Sequence, residues 1–393
     1  LSALAALRGL GGAEGSVHAG FGVPRLSPAA YLATQLRVIP TYLRLLDWPA
    51  DQCGDWAFPA SAGFGEPAVI AGGALLLGLC AAAVLAARRA RGREGDGPAA
   101  LRAAAFGLLL FLLVLAPSSS LVPLIDPLAE HRVYLACLGL FLGGAALAAA
   151  ALRRALPARA PLAGAALAVA LSAACGIATW SRSGVWSSSL ALWEDTAAKS
   201  PGKARVQLNL GFALASAGRY AEAIRAYQRA AMLLGDHTIG GESIFLDVVE
   251  AYLALGQVEA ARSQVSLQLR AKPDDPLALA LLAAVEYGAG RDHDAERAAR
   301  SALELDPATG EASKYLGMAR LRRGDAAGAI AAFAPVEHVR VVDPVLFAAM
   351  AEARERIGDV AAACEHYDTA AGQPGNRAAS ARALAARRRL GCP

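Results

Sequence analysis

Three consecutive residues, Glu130, His131 and Arg132, stand immediately before an apolar run that opens at Val133. A guanidinium grips a phosphate through two parallel hydrogen bonds and an imidazolium adds another donor, so the triplet has the chemistry to hold an anionic phosphate group. Glu130 is expected to orient Arg132. The alternative is an interfacial anchor with an internal Glu130–Arg132 pair. Arg37 and Arg44, seven residues apart on one face of a helix, make a weaker pair of the same kind. Other reactive patterns are missing: the sequence has no HExxH, paired CxxC, GxSxG or phosphate-cradling glycine loop. His237, His293, His338 and His366 are scattered and read as surface residues, so no metal is expected.

The elements that must position these residues follow from where the apolar content lies. Over 393 residues, 55% hydrophobic content and a mean hydropathy of +0.38 are too high for an evenly mixed soluble chain. Four uncharged stretches hold the excess, at 68–87, 103–125, 133–152 and 160–180. About 20 helical residues cross about 30 Å of hydrocarbon, so each stretch is long enough to span a bilayer. Pro117 and Ser118–Ser120 interrupt the second, whose helix should stop there and continue as an irregular segment packed on protein. Arg88, Arg89, Arg91, Arg93 and Arg102 lie between the first two spans, and Arg153, Arg154 and Arg159 between the last two. Those loops are therefore expected in the cytoplasm and everything after Trp180 outside it. Ahead of the spans, Leu32, Leu36, Ile39, Leu43 and Leu46 fall on one helical face and Thr34, Arg37, Thr41 and Arg44 on another, which suits a helix lying in the membrane interface and kinked at Pro40. The net charge of +4 is accounted for by the arginine loops, and no nucleic-acid partner is expected.

The second half repeats. Gly218/Ala223, Gly256/Ala261, Gly290/Ala295, Gly324/Ala329 and Gly358/Ala363 are five glycine–alanine pairs of identical spacing, the last four 34 residues apart. That is the period of the tetratricopeptide repeat, with repeats at 204–237, 242–275, 276–309, 310–343 and 344–377. The glycine ends helix A, and the alanine sits where helix B crosses closest. Gln268 breaks the pattern of small residues in the second repeat and should loosen its packing. The fold class is all-α: polytopic transmembrane helices followed by a tetratricopeptide-repeat α-solenoid. It divides into an outward segment at 1–65, spans at 66–180, a linker with an N-terminal capping helix at 181–203, five repeats at 204–377 and a C-terminal capping helix at 378–393. Such arrays bind proteins or extended peptides on the concave helix-A face. Asn209 resembles, by its place in the repeat, the peptide-gripping asparagines of sugar-transferring tetratricopeptide enzymes, but Asp247, Leu281, Tyr315 and Ala349 follow it, so there is no asparagine ladder. Cys364 and Cys392 can pair near the array's end or remain thiols. Arg387–Arg389 read as a solvated helix end.

The order of YLATQLRVIPTYLRLLDWPADQCGDW (31–56), the serine break before Leu121–Val122–Pro123–Leu124, Glu130–His131–Arg132–Val133–Tyr134–Leu135, and Leu192–Trp193–Glu194–Asp195 with Lys199–Ser200–Pro201 resembles the C-terminal part of a family. These are the polytopic, C-type fold glycosyltransferases with tetratricopeptide repeats, the transmembrane-and-tetratricopeptide-repeat protein O-mannosyltransferases and their bacterial relatives. The resemblance spans most of 20–380. It implies transfer of a sugar, mannose, from a polyprenyl-phosphate donor to a protein acceptor on the outer side of the membrane. By that comparison the site is a bacterial inner membrane with a periplasmic array. Membrane lipid is then one partner and a protein or peptide on the array the other. The family's catalytic carboxylates lie in an earlier outward loop. Asp47, Asp51, Asp55 and Asp126 do not match that motif, and no catalytic residue is assigned. The opening at Leu1, without Met, reads as a fragment without that loop, inactive by itself and needing no cofactor beyond the implied donor. The alternative is a non-enzymatic membrane-anchored scaffold.

Overall fold

The structure is a computed structural model that describes residues 26–234, 241–337, 343–372 and 377–392. His237 and His338 lie outside the described residues. Among the described residues the chain is helical, with no strand. It forms two compact units, Leu1–Val206 and Gln207–Pro393.

In the first unit, α1 (Pro28–Asp47) starts where Ser27 Oγ accepts the Ala30 N–H and Pro28 needs no donor partner. Four long helices follow: α2 (Pro67–Ala90), α3 (Asp96–Leu115), α4 (Val133–Ala155) and α5 (Ala160–Ser183). All four are long and apolar enough to cross a membrane. Their outer faces carry exposed large apolar side chains such as Leu77, Leu113, Val169 and Ile177. The third helix stops at Leu115, just before Pro117, and the irregular segment beyond it packs Ser119, Pro123 and Leu128 inward. Glu130–Arg132 form a 3₁₀ turn leading into α4. A short helix, α6 (Ser189–Lys199), closes the unit and is capped by Ser188.

These helices meet at glycines. A Cβ on Gly107 would overlap the Gly139 carbonyl and one on Gly139 would overlap that of Gly107, so α3 and α4 touch backbone to backbone. Gly72 of α2 sits against the Leu36 carbonyl of α1 in the same way. Pro40 lies inside α1 and has no N–H to offer that carbonyl, so the close approach of Gly72 fills the place of the missing donor. The face of α1 that packs on protein is not the leucine face. Tyr31, Thr34, Gln35, Val38 and Tyr42 are fully buried against protein, whereas Leu32, Leu36, Leu43 and Leu46 are half-buried. Tyrosine and glutamine go inside because backbone carbonyls of the 118–129 segment are there to accept their hydrogen bonds.

The second unit is a run of antiparallel hairpins. Helix A and helix B pair as α7 (Ala204–Ser216) with α8 (Tyr220–Leu234), α9 (Gly241–Ala254) with α10 (Val258–Ala271), and α11 (Pro276–Gly288) with α12 (Asp292–Leu305). They continue as α13 (Gly310–Arg322) with α14 (Ala326–Phe333), and α15 (Pro344–Arg356) with α16 (Val360–Ala371). Gly218, Gly256, Gly290, Gly324 and Gly358 have φ of 76°, 70°, 78°, 92° and 86°. In this left-handed region the next residue's N–H turns back to the last turn of helix A. Arg219 donates to Leu214, Gln257 to Tyr252, Arg291 to Glu286, Asp325 to Arg320 and Asp359 to Arg354, at 2.8–3.0 Å. Ala223, Ala261, Ala295, Ala329 and Ala363 are each 0% exposed at the crossing. Gln268 is half-buried and donates to Asp275 Oδ2 at 2.9 Å, so the residue that breaks the pattern ties its helix to the N-cap of α11.

Neighbouring repeats are also joined by buried carboxylates. Glu286 of α11 accepts from Arg262 of α10 and from Arg291. Glu296 of α12 accepts from Arg320 of α13 at 3.1 Å, and from Arg300 and Arg323. Burial works against its charge, but Arg320, Arg300 and Arg323 together hold the Glu296 carboxyl below the usual glutamate range. At the end, α17 (Arg377–Leu390) buries Ala379 and Ala383 on the last hairpin. It is fastened by a Cys364–Cys392 disulfide and by Arg387–Asp368 and Arg389–Glu355 ion pairs.

Overpacking a tight helix contact costs about 1–3 kcal/mol. Gly107→Leu should therefore lower the melting temperature of the detergent-solubilised protein, while Gly144→Leu, on a face with open space around it, should leave it unchanged. Equal melting of the two variants would contradict the backbone contact.

Candidate functional site

The end of the first unit formed by the 118–132 segment and the loop before α2 gathers most of the singled-out residues, though in different roles from those expected. Glu130 does not orient Arg132. Its Oε1 accepts the Cys53 N–H at 2.7 Å and the Trp56 indole N–H at 2.9 Å, so the carboxylate fixes the loop before α2. The expected internal Glu130–Arg132 pair is thus replaced by these two hydrogen bonds, because two strong donors already converge on Glu130. Arg132 is half-buried and donates from Nη1 to the Pro127 carbonyl at 3.2 Å. Among the described residues no carboxylate lies within ion-pair distance of it. Two phenols sit beside it. Burial pushes the Tyr31 hydroxyl up to about 12, against the pull of the Arg132 charge, and burial likewise raises that of Tyr42. His131 is exposed.

The arginines of α1 are separated from that group. Arg37 donates to the Pro59 carbonyl at 3.2 Å and to Ser61 Oγ at 2.9 Å, lies 3.7 Å from Glu66 and stacks over Phe58. Arg44 is exposed near the helix end. The two arginines therefore form no shared anion site with each other or with Arg132. A cleft of about 720 Å³ opens beside Glu130, between Tyr42 and Leu45 of α1, Tyr134 and Cys137 of α4, and Cys175 and Arg182 of α5.

One constellation was invisible in the sequence. Asp55, Asp126, Lys203 and Arg205 meet in a ring: Lys203 Nζ lies 2.6 Å from Asp126 Oδ1 and also pairs with Asp55, while Arg205 bridges Asp55 at 2.7 Å and Asp126 at 2.8 Å. Burial opposes the Asp126 charge, yet Lys203 and Arg205 bring its carboxyl below the ordinary aspartate range. Both carboxylates are paired with the same two cations. No spacing rule links positions so far apart in the chain, so only the fold could reveal them. Other residues of the family-like segments are engaged similarly. Asp195 pairs with Arg182 at 2.7 Å and Lys199 at 2.8 Å, and Ser200 Oγ accepts the Ala57 N–H at 3.0 Å.

In the second unit Asn209 is followed at the equivalent helix-A positions by Asp247, a buried Leu281, a half-buried Tyr315 and a buried Ala349. Asp247 Oδ2 is buried with no hydrogen-bond partner among the described residues. Burial first, and the charge of Glu250 second, push its carboxyl up to about 7. Among the described residues no three His, Cys, Asp or Glu side chains converge as a metal site. His366 is buried, with its pKa lowered by burial and by Arg354, and it lies against Glu337.

No family model matches the sequence, and no curated protein is similar to it. Solved structures with similar helical arrays do exist. TTC0263, a thermophilic TPR protein in Thermus thermophilus, is 20% identical and has a TM-score of 0.38, with 47% of this chain and 98% of that chain covered. MamA 41-end from Desulfovibrio magneticus RS-1 is 22% identical, covers 37% of this chain and 81% of its own, and has a TM-score of 0.30. YrrB, a TPR protein with an unusual peptide-binding site, is 19% identical over 50% of this chain and 97% of its own, with a TM-score of 0.30. The assignment of tetratricopeptide hairpins rests on the five left-handed glycines and five buried alanines of this chain.

Asp247 also gives a pH signature. An aspartate titrates near 3.9 when unfolded, and this one titrates near 7 when folded. The folded state keeps a proton the unfolded state has lost, so this group's contribution to stability is complete below about pH 4 and lost as pH rises through 7. Asp247→Asn should flatten that decline, melting higher than wild type at pH 8 and much like it at pH 4. An unchanged pH profile in the variant would show that Asp247 titrates normally.

Proposed function

We propose that this chain presents a protein- or peptide-binding tetratricopeptide array outside the cytoplasm, held by four membrane spans. The observation that carries the reading is the combination, in one chain, of four helices apolar enough to span and an array of five antiparallel helical hairpins. Orientation is supported by the arginines at both expected cytoplasmic loops. The Cys364–Cys392 disulfide supports it too, since such bonds persist in oxidising compartments such as the periplasm. Membrane lipid is the second partner in this reading.

The finer reading is that the chain serves a transferase that passes a sugar, mannose, from a polyprenyl-phosphate donor to a protein held by the array. Arg132 favours it. A half-buried guanidinium next to two tyrosine hydroxyls, with no carboxylate among the described residues to neutralise it, suits the phosphate of a lipid carrier arriving at the mouth of α4. His131 is exposed close by in sequence and supplies a further donor when protonated. Glu130 would act on the loop rather than on the phosphate. Arg37 and Arg44 stay outside this contact. A purely scaffolding role is favoured by a different observation: Glu130, Asp55, Asp126 and Asp195 are all engaged in structural pairs.

In the full-length protein, Arg132→Ala should abolish sugar transfer from polyprenyl-phosphate mannose while leaving the melting temperature within about 2 °C of wild type, the size expected from a change of about 0.5 kcal/mol. Undiminished turnover in that variant would remove Arg132 from the donor site. Absence of transfer by the wild type itself would favour the scaffold.

A further inference from the structure

At the end of α4 opposite Glu130–Arg132, two arginine-bearing loops are held side by side. Gly107 meets Gly139, Gly143 meets Ala104, and Arg153 Nε lies 2.7 Å from Asp96 Oδ2, so α3 and α4 run antiparallel with the last turn of α4 against the first turn of α3. The turn between α2 and α3 is fixed as well. Gly92 and Gly95 take φ of 66° and 105°, and Arg102 Nη1 donates to the Ala90 carbonyl at 2.9 Å and to the Arg93 carbonyl at 3.0 Å. Arg88, Arg89, Arg91 and Arg93 from one loop and Arg154 and Arg159 from the other therefore share one end of the helices, and all six are exposed. None of these guanidinium groups has a carboxylate or hydrogen-bond partner among the described residues, and Glu94 and Asp96 are the only acids in the stretches 88–102 and 153–159. The array treats its arginines differently: Arg262, Arg291, Arg320, Arg322, Arg354 and Arg389 each pair with a carboxylate.

We propose that this arginine surface binds the phosphate headgroups of anionic phospholipids in the adjoining leaflet. The inference rests on the reading of α2 to α5 as membrane spans, but not on which leaflet is cytoplasmic. Helix dipoles do not account for the cluster. They favour Arg88, Arg89, Arg91 and Arg154, at the C-terminal ends of α2 and α4, but Arg93 lies in the turn and Arg159 stands at the N-cap of α5, where the dipole opposes a cation. An external anion resolves both. The neighbouring surface says which anion it is. Val84, Leu85 and Leu147 are exposed within two turns of the arginines, and Leu156 is exposed between Arg154 and Arg159. An apolar band followed by a cationic rim matches an acyl chain followed by a phosphate, which a guanidinium grips bidentately. A zwitterionic headgroup offers the same phosphate with a cation attached, which this rim repels. The preference therefore falls on lipids with net negative charge.

The test is electron paramagnetic resonance of the whole protein reconstituted in phosphatidylcholine vesicles, with a trace of chain-spin-labelled phosphatidylglycerol or phosphatidylcholine reporting the lipid immobilised at the protein. Wild type should favour the phosphatidylglycerol probe about fivefold in relative association, and the preference should vanish near 1 M salt, where the Debye length is about 3 Å. Combining Arg91→Gln, Arg93→Gln, Arg154→Gln and Arg159→Gln leaves Arg88, Arg89, Arg102 and Arg153 in place. This variant should lose most of the preference while immobilising the phosphatidylcholine probe as wild type does, which shows that it is inserted. Equal association of the two probes with wild type would overturn the inference and leave the spans standing. An undiminished preference in the variant would overturn its assignment to these arginines. Displacement of labelled phosphatidylglycerol by inorganic phosphate at constant ionic strength would make the ligand a soluble anion and overturn it too. Immobilisation of neither probe would overturn the membrane reading together with the inference.

Discussion

Two helices pack backbone-close where at least one of them carries nothing larger than a methyl group at the crossing, and this chain uses that contact in both of its units. In the first, Gly107 against Gly139 and Gly72 against the Leu36 carbonyl set how α3 meets α4 and how α2 meets α1. In the second, the alanine after each glycine turn does the same work, and all five are fully buried. In two repeats where the facing side chain of helix B is a large ring, even alanine is too big. A Cβ at Gly211 would strike the Tyr227 ring and one at Gly317 the Phe333 ring. Where the ring is absent, as with Val265 and Ala299, the opposing position carries Val249 or Ala283 instead. Volume is conserved across the contact, as close-packed interiors require. Ala351 opposite Tyr367 is accommodated as well, with the Tyr367 hydroxyl drawn outward to Glu355 at 3.0 Å.

What differs between the units is the surface left after the small residues have met. The helices of the first unit keep leucine, valine and isoleucine on their outer faces, which water would not tolerate and hydrocarbon would. Those of the second present charge outside and buried carboxylate–arginine joints between repeats. These joints bridge elements rather than decorating one surface. Removing a single partner would strand a charge with little water to solvate it.

Much of this was legible in the sequence, and the reason is periodicity. A glycine that must adopt positive φ and an alanine that must fit a crossing leave a signal repeated every 34 residues, so the hairpins and their turns could be placed without coordinates. Length and hydropathy identified the four long helices equally well. The polar details were not legible. Glu130 was expected to serve Arg132, its near neighbour, but the donors it serves are Cys53 and Trp56, more than 70 positions away. The leucine face of α1 was legible, but its second face, where Tyr31, Gln35 and Tyr42 pack on protein, was not, because their partners are distant carbonyls. The ring of Asp55, Asp126, Lys203 and Arg205 has no local pattern at all. Hydrogen bonds between remote segments carry no period, so sequence reading favours the nearest partner and misses the real one.

The account stands on the claim that residues 67–186 lie in a bilayer and that the array is on the side away from the cytoplasm. Protease added to sealed right-side-out vesicles tests both parts together, with an antibody to the C-terminal end following the array. The account predicts that the array is digested from outside while the loop containing Arg88–Arg93 stays protected. An array that survives intact and is cut only in inverted vesicles would contradict it.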